Sequence, residues 1–265
     1  MHISPQLEGV RLKLYRAVDH FRDLDVAIGE FYANQSKAAG HKVEHQTELT
    51  ITWPEQPPLD PRFTLILGDC IHNIRSALDH LVAQLAILNG APNEAIKKTA
   101  FPVCLSPGDF KNATVRKVAP YISGIALAEI ERLQPYSTGD REQDILWGLS
   151  QLDIIDKHRL LIVAKHKIRA RSFRVSTEDG HDFTHTLPSD NPWKPSENGA
   201  EIIRFRITGL QSYTKMHVEL SAEGTIQIEH TGLICDGQNL LLALRDCLNH
   251  ASSIIDSFGE MFFGE

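Results

Sequence analysis

One stretch of the chain concentrates residue types that can move protons or hold phosphate. It runs from His72 to His80, reads HNIRSALDH, and contains two imidazoles, a guanidinium, a carboxylate and an amide. An imidazole titrates near neutral pH, and a guanidinium forks onto phosphate oxygens. A solvated helix face usually carries Glu and Lys, yet neither occurs between Asp69 and Asn89. The stretch is therefore either a functional site or an internal hydrogen-bond network or dimer interface.

Within this stretch, Arg75 and His80 form an Arg-x4-His pattern that resembles the motif of the HEPN superfamily. Many members of that superfamily are helical-bundle ribonucleases of toxin–antitoxin, defence and stress systems. The resemblance implies RNA cleavage without metal or cofactor, at a site commonly shared by two subunits of a homodimer. It implies that His80 activates the ribose 2′-hydroxyl and that Arg75 stabilises charge on the phosphate. Asn73 lies on the same helix and completes the catalytic candidates, whereas Ser76 stands where the family often has Asn, Asp or His.

A second Arg-x4-His pattern runs from Arg245 to His250, with Asp246 in the position after the arginine. About one such pattern is expected by chance in a chain of this composition. The spacing therefore leaves open which of the two patterns is meaningful. The combination of HNIRSALDH with DKHR at 156–159 also resembles a family of bacterial and phage proteins, and that resemblance implies no activity.

A second polar cluster lies at the C-terminal end of the helix predicted over 141–158. Its members are Asp153, Asp156, Lys157, His158 and Arg159. Cations at a helix C-terminus interact favourably with the helix dipole, and Asp153 and Lys157 have the spacing of an ordinary i,i+4 pair. These facts give the cluster a structural explanation. The functional alternative brings it to the same site as Arg75 and His80. The binding candidates around that site are His72, Asp79, His158 and Arg159.

Beyond this cluster the chain is basic, because no acid occurs between Arg159 and Glu178. A strand places alternate side chains on one face. On a net-acidic protein such a basic face suggests a phosphate-rich partner, which for a HEPN-like protein would be RNA. It is equally explained as a solvated sheet face or as an edge strand that uses charge to prevent aggregation. The candidates for RNA contact are Lys165, Lys167, Arg169 and Arg171.

Other catalytic patterns are absent or misplaced. The sequence HxxEH at 41–45 resembles the inverzincin metalloprotease motif, whose chemistry needs both histidines on one helix face. Here the pattern follows Gly40 and leads into a strand-like segment, so no metal site is predicted. The four cysteines are scattered without a CxxC pair, and no GxSxG, Walker or Rossmann glycine pattern occurs.

The bulk composition is that of a globular protein. The chain has 265 residues, of which 42% are hydrophobic and 23% charged. Its net charge of −7 argues against a protein that coats nucleic acid generally. No basic segment followed by an apolar one opens the chain, and no apolar run approaches the ~20 residues that span a bilayer. These features predict a cytoplasmic protein with no membrane partner.

Hydrophobic periodicity predicts the α+β class: a bundle of long helices with an antiparallel β-sheet inserted before the C-terminal helix. The clearest helix covers 61–89, with Asp60 as its N-cap and apolar residues in alternating steps of four and three. A similar seam marks 237–263, so these two helices are predicted to pack together. The predicted domains are 1–159, a bundle with a short β segment near 47–53; 160–232, the antiparallel insert; and 233–265, the returning helix.

The remaining elements follow from the same patterns. The first helix is predicted to turn Leu12, Tyr15, Val18, Phe21 and Leu24 inward, and Glu223-Gly224 is predicted to be a hairpin turn. Further helices are predicted at 7–38, 107–118, 124–133 and 141–158, and further strands at 160–175, 181–187, 201–208, 214–221 and 225–230.

Two function classes remain. The first is a metal-independent, HEPN-like ribonuclease or RNA-binding protein of a defence or toxin-type system. The second is a non-catalytic binding or scaffold protein whose polar helix faces are internal networks or a dimer interface. An open cleft containing Arg75 and His80 would favour the first, and burial of each with a fixed partner would favour the second.

Overall fold

The computed structural model describes residues 4–33, 40–44, 48–53, 58–139, 141, 143–158, 164–178, 180, 182–188, 194–195, 201–206, 215–228 and 237–265. The chain mixes helices with small antiparallel sheets, which confirms the α+β prediction. It divides into two compact units. The helical unit comprises 1–26, 61–164 and 228–265, and the sheet unit comprises 27–60 and 165–227.

The helices of the described residues follow the predicted order. Their bounds are α1 (Glu8–Ala33), α2 (Arg62–Leu88), α3 (Asn93–Ile96), α4 (Pro107–Lys117), α5 (Gly124–Arg132), α6 (Ile145–His158) and α7 (Leu240–Phe258). Short 3-10 turns lie at Pro5–Leu7 and Pro135–Ser137, and α7 continues as a π-helical turn over Gly259–Phe263. No helix among the described residues has the length and apolarity needed to cross a membrane.

Helix α2 is the centre of the helical unit. Its seam is buried from Leu67 through Ile74 and Leu78 to Leu85, and it contacts α6 and α7. Burying each such side chain contributes about 1.5–3 kcal/mol. The helix ends before Gly90, whose φ of 75° is left-handed. At the other end the N-cap is Pro61, one residue after the predicted Asp60.

Helix α7 begins at a true cap. The Oδ1 of Asn239 accepts hydrogen bonds from the backbone N–H groups of Leu241 and Leu242, at 2.9 and 3.2 Å. Its buried face includes Leu244 and Ile255. The predicted packing of the two seam-bearing helices is confirmed, since α7 contacts α2 directly.

The predicted inward face of α1 is confirmed at Leu24, which is buried, but wrong at its first two residues. Leu12 and Tyr15 are exposed, while Val10, Leu14 and Ala17 are buried. The true face includes a small alanine and also a buried histidine, His20. In the sequence, this buried face therefore looks less apolar than the neighbouring face of the helix, whose large apolar side chains are exposed to solvent.

The strands are β1 (Gly40–Glu44), β2 (Glu48–Thr52), β3 (Ala164–Thr177), β4 (Asp182–Thr186), β5 (Lys194–Pro195), β6 (Glu201–Arg206) and β7 (Met216–Ile228). One sheet has the order β1-β2-β6, and the other has β4-β3-β5 with β7 also paired to β3. A single apolar core joins strands of both sheets in the sheet unit. Its members are Leu49, Ile51, Trp53, Ala170, Phe173, Val175, Val218 and Leu220.

The short β segment near 47–53 does not belong with the bundle. Strand β2 pairs antiparallel with β6, with Leu49 opposite Phe205 and Ile51 opposite Ile203. Leu49, Thr50 and Ile51 are buried in succession, so this strand is covered on both faces. Its backbone needs ladder partners on both edges; β1 supplies one, and β6 of the inserted segment supplies the other.

The hairpin predicted at Glu223-Gly224 is also wrong, because β7 runs unbroken through both residues. Gly224 packs against the ring of Tyr32, where a Cβ would overlap the ring atoms. The Tyr32 hydroxyl donates to the carbonyl oxygen of Thr225 at 3.0 Å. This glycine therefore permits a close approach within a strand rather than a turn.

Candidate functional site

The polar arc of α2 meets α6 at His72. Nδ1 of His72 lies 3.1 Å from Oδ1 of Asp153. Because a carboxylate can only accept, the ring nitrogen is the donor of this hydrogen bond. The Asp153 side chain is only 6% exposed, whereas that of His72 is 49% exposed. Lys157 donates to the other Asp153 oxygen, Oδ2, at 2.6 Å. The buried carboxylate thus fixes the imidazole through one nitrogen and leaves Nε2 available to a ligand.

A second contact between the same helices lies one turn away. Gly68 precedes His72 by four residues and Asp156 follows Asp153 by three, so each pair shares one helix face. The Asp156 carboxylate lies directly against Gly68, where a Cβ would overlap its oxygens. Because the two contacts run in opposite chain directions, α2 and α6 are antiparallel here.

The environment of Asp156 changes its acidity. Burial raises the pKa of this carboxyl, and the charges of Asp153 and Asp69 raise it further. His72 and Lys157 act in the opposite direction but do not cancel the rise. The α2–α6 cluster is defined as Gly68, Asp69, His72, Asp153, Asp156 and Lys157. It contains an imidazole, an amine and a carboxyl whose pKa is raised above the ordinary aspartate value.

Arg75 has an internal partner instead of an open site. Its Nη2 donates to the carbonyl oxygen of Phe101 at 2.5 Å and lies 3.1 Å from Oδ1 of Asp79. The same Asp79 oxygen accepts the backbone N–H of Phe101 at 2.9 Å. Burial raises the pKa of Asp79, although Arg75 and this N–H oppose the rise. With its side chain 12% exposed, Arg75 joins Asp79 in holding the main chain at Phe101.

The three predicted catalytic residues are not gathered. His80 is exposed and forms no hydrogen bond or ion pair with any described residue. The Asn73 amide donates to the carbonyl oxygen of Asp69, one turn back on its own helix, at 2.8 Å. Side chains five residues apart on a helix diverge by about 140°. Arg75 and His80 of one chain therefore do not converge on one position, and their joint action across a two-fold axis stays a prediction.

Two of the four predicted basic residues of β3 are paired with an acid. Arg169 Nη2 lies 2.6 Å from Oε1 of Glu223, and Arg171 pairs with the other oxygen of the same carboxylate. Strand β7 thus supplies the acid that the sequence around β3 lacks. Lys167 is partly buried, while the side chain of Lys165 lies outside the described residues.

The remaining candidate residues have no described contacts that would place them in a site. His158 is the last residue of α6, but its side chain and the whole of Arg159 lie outside the described residues. On α7, Arg245 is exposed and His250 is partly buried, and neither forms a hydrogen bond or ion pair within the described chain. In the same described ranges, no three His, Cys, Asp or Glu side chains are arranged to hold a metal ion.

Comparison with known proteins gives no match, whether to a protein-family model, to a curated protein or to a solved structure. The choice of site therefore depends on geometry alone.

Sequence reasoning treated Asp153 and Lys157 as an ordinary helix pair and did not name Gly68 as part of a site. A signal was present. Asp69 and His72 have the same i,i+3 spacing on α2 as Asp153 and Asp156 have on α6. Two helices that each present polar groups at this spacing can face each other across a bundle.

Proposed function

We propose that this protein is a metal-independent ribonuclease whose proton-transfer residue is His72. The observation that carries the proposal is the contact of His72 Nδ1 with the buried carboxylate of Asp153, at 3.1 Å. A half-exposed imidazole held in one orientation by a buried acid is an arrangement suited to acid–base catalysis.

The chemistry assigned to the site is attack of the ribose 2′-oxygen on the adjacent phosphorus. The departing 5′-oxygen must receive a proton, and Nε2 of His72 is the group that delivers it. Asp153 stabilises the charge that the ring carries while it holds this proton. The products are a 2′,3′-cyclic phosphate and a free 5′-hydroxyl.

Lys157 supplies the positive charge for the phosphate. Its ammonium has three N–H donors and uses one of them on Asp153 Oδ2. The side chain is 45% exposed, so its remaining donors are open to phosphate oxygens. Preorganised charge of this kind stabilises the charge that develops in phosphoryl transfer.

The proposal keeps the reaction class that the HEPN resemblance implies and changes the residues that perform it. His72 replaces His80 as the imidazole of the site, and Lys157 replaces Arg75 as the cation. Support for the exchange comes from partners: Arg75 is committed to Phe101, whereas His72 and Lys157 converge on Asp153.

The experiment uses a short RNA with one cleavable ribonucleotide and a matched substrate with a 2′-deoxyribose at that position. Incubation with the protein in excess EDTA should cleave only the ribose substrate and leave a 2′,3′-cyclic phosphate. Cleavage of the deoxy substrate, a linear 3′-hydroxyl end, or a requirement for a divalent ion would contradict the proposal.

A second function is favoured by one observation. Arg75 and Asp79 are used inside the bundle to hold Phe101, as expected for a non-catalytic binding or scaffold protein. RNA binding without cleavage of any ribose substrate, measured with the same oligonucleotides, would favour that function over the enzyme.

A further inference from the structure

Asp156 belongs to the α2–α6 cluster, but the mechanism proposed for His72 does not use it. Cleavage by a 2′-oxygen needs two proton transfers, one to the 5′-oxygen and one from the 2′-hydroxyl. We propose that Asp156 is the base that takes the 2′-hydroxyl proton, and that Gly68 is the positioning residue that places it beside His72. This inference rests on the proposed ribonuclease function.

The geometry places the two proton-transfer groups one helical turn apart. Asp153 meets His72, and Asp156, three residues later on α6, meets Gly68, four residues earlier on α2. Any larger residue than glycine at position 68 would overlap the Asp156 carboxylate. An added side chain there would force the Asp156 carboxylate to move aside, so its position depends on the glycine.

The proton balance of the step is complete. The Asp156 carboxylate accepts the proton of the 2′-hydroxyl as the 2′-oxygen bonds to phosphorus. The bond from phosphorus to the 5′-oxygen breaks, and the 5′-oxygen takes the proton of the His72 imidazolium. Both residues end neutral, and exchange with water returns the proton from Asp156 to His72.

The surroundings of Asp156 favour this role. The charges that act on it come from Asp69 and His72 on α2 and from Asp153 and Lys157 on its own helix. Burial and the two neighbouring carboxylates raise the pKa of Asp156, so its carboxylate is a stronger base than that of an ordinary aspartate. Because its pKa is raised, the carboxylate also becomes protonated at a higher pH than an ordinary aspartate does.

The test compares Asp156→Asn and Gly68→Ala with Gly9→Ala. Gly9 is a matched control because it is also helical but has nothing within 4 Å of an added Cβ. Two quantities are measured: the pH dependence of cleavage of the RNA substrate, and the titration of the Asp156 carboxyl by NMR. The second does not require activity.

Wild-type cleavage should fall as pH drops through the pKa of Asp156, because the base becomes protonated. Asp156→Asn should lose about 100-fold or more in rate. Its rate should also no longer show this fall at low pH, which is the acid limb of the pH profile. Gly68→Ala should move both the acid limb and the Asp156 titration toward the range of an ordinary aspartate. Gly9→Ala should change neither.

An Asp156→Asn rate within a few-fold of wild type, with the acid limb intact, would overturn the inference even if His72→Asn is inactive. A wild-type protein that cleaves no RNA overturns the proposed function instead, and an Asp156 titration unmoved by Gly68→Ala then overturns the positioning role independently. If Gly68→Ala does not fold, the double variant with Asp156→Ala should fold, because the overlap is gone. Failure of that double variant to recover would also contradict the positioning role.

Discussion

Nδ1 of His72 on α2 and Oδ1 of Asp153 on α6 are 3.1 Å apart although 81 residues separate them in sequence. This contact distinguishes one histidine of the HNIRSALDH stretch from the other. His72 has a buried acid behind it, and His80 has no hydrogen-bond partner among the described residues. It also links the two polar clusters that the sequence displays separately.

Asp153→Asn should reduce cleavage strongly while keeping the fold. An amide has the shape of the carboxylate but cannot stabilise a charged imidazole, so we expect a loss of about 100- to 10,000-fold in rate. Rates and urea unfolding curves should be measured on the same preparation. A folded Asp153→Asn variant with wild-type rate would show that the carboxylate has no part in the reaction.

Leu78→Ala should destabilise the helical unit by about 2–5 kcal/mol, because Leu78 is fully buried in the α2 seam. Leu88→Ala is the matched control on the same helix, since Leu88 is 52% exposed and should cost under about 0.5 kcal/mol. Chemical denaturation gives both values. Equal effects at the two positions would contradict the assignment of the seam as core.

Arg75→Ala should act on stability and not on the chemical step. It leaves the Phe101 carbonyl and the Asp79 carboxylate without their cation, at a cost of about 1–3 kcal/mol. A folded Arg75 variant should cleave RNA within a few-fold of wild type at a temperature well below its unfolding midpoint. Loss of cleavage with retained thermal stability would instead support the Arg-x4-His motif as the catalytic centre.

Asp156 should make stability depend on pH. Its pKa is raised in the folded chain, so the folded state holds the proton more tightly than the unfolded state. Between the ordinary aspartate pKa and the raised value, stability therefore falls as pH rises. Asp156→Asn should remove this penalty and stabilise the protein at neutral pH by less than about 1 kcal/mol, because the carboxyl is partly exposed.

The same comparison at a pH below the ordinary aspartate pKa is the internal control. There both states of wild-type Asp156 are protonated, and the advantage of the asparagine should vanish. The measurement is the unfolding midpoint of wild type and of Asp156→Asn at each of the two pH values. A variant that is less stable than wild type at neutral pH would contradict the direction of the shift.

The helices were readable from sequence because their signals are local. Leu67, Leu78 and Leu85 repeat at helical spacing, and Gly90 marks the end of α2. Where the conformation of a segment depends on a residue distant in sequence, the local pattern predicted it wrongly. Gly224 looks like a turn residue, but the ring of Tyr32 requires a glycine there within a strand.

The site was only half readable for the same reason. The sequence displays His72 and the Asp153–Lys157 pair, and the i,i+4 contact of the latter is present at 2.6 Å. That Asp153 also meets His72 depends on how α2 and α6 pack, which no local spacing reports. The basic run in β3 likewise gives no sign of the acid that pairs with Arg169, because Glu223 lies on another strand.

The most direct measurement compares His72→Asn with His80→Asn in single-turnover cleavage of a short RNA in EDTA. Asparagine at position 72 can still donate to Asp153 from near the place of Nδ1 but lacks Nε2. If His72 is the proton-transfer residue, His72→Asn should lose about 100-fold or more in rate. His80→Asn should stay within a few-fold of wild type, and the two variants should have equal unfolding midpoints. Loss of cleavage in His80→Asn with retention in His72→Asn would contradict the assignment of the site to the α2–α6 cluster.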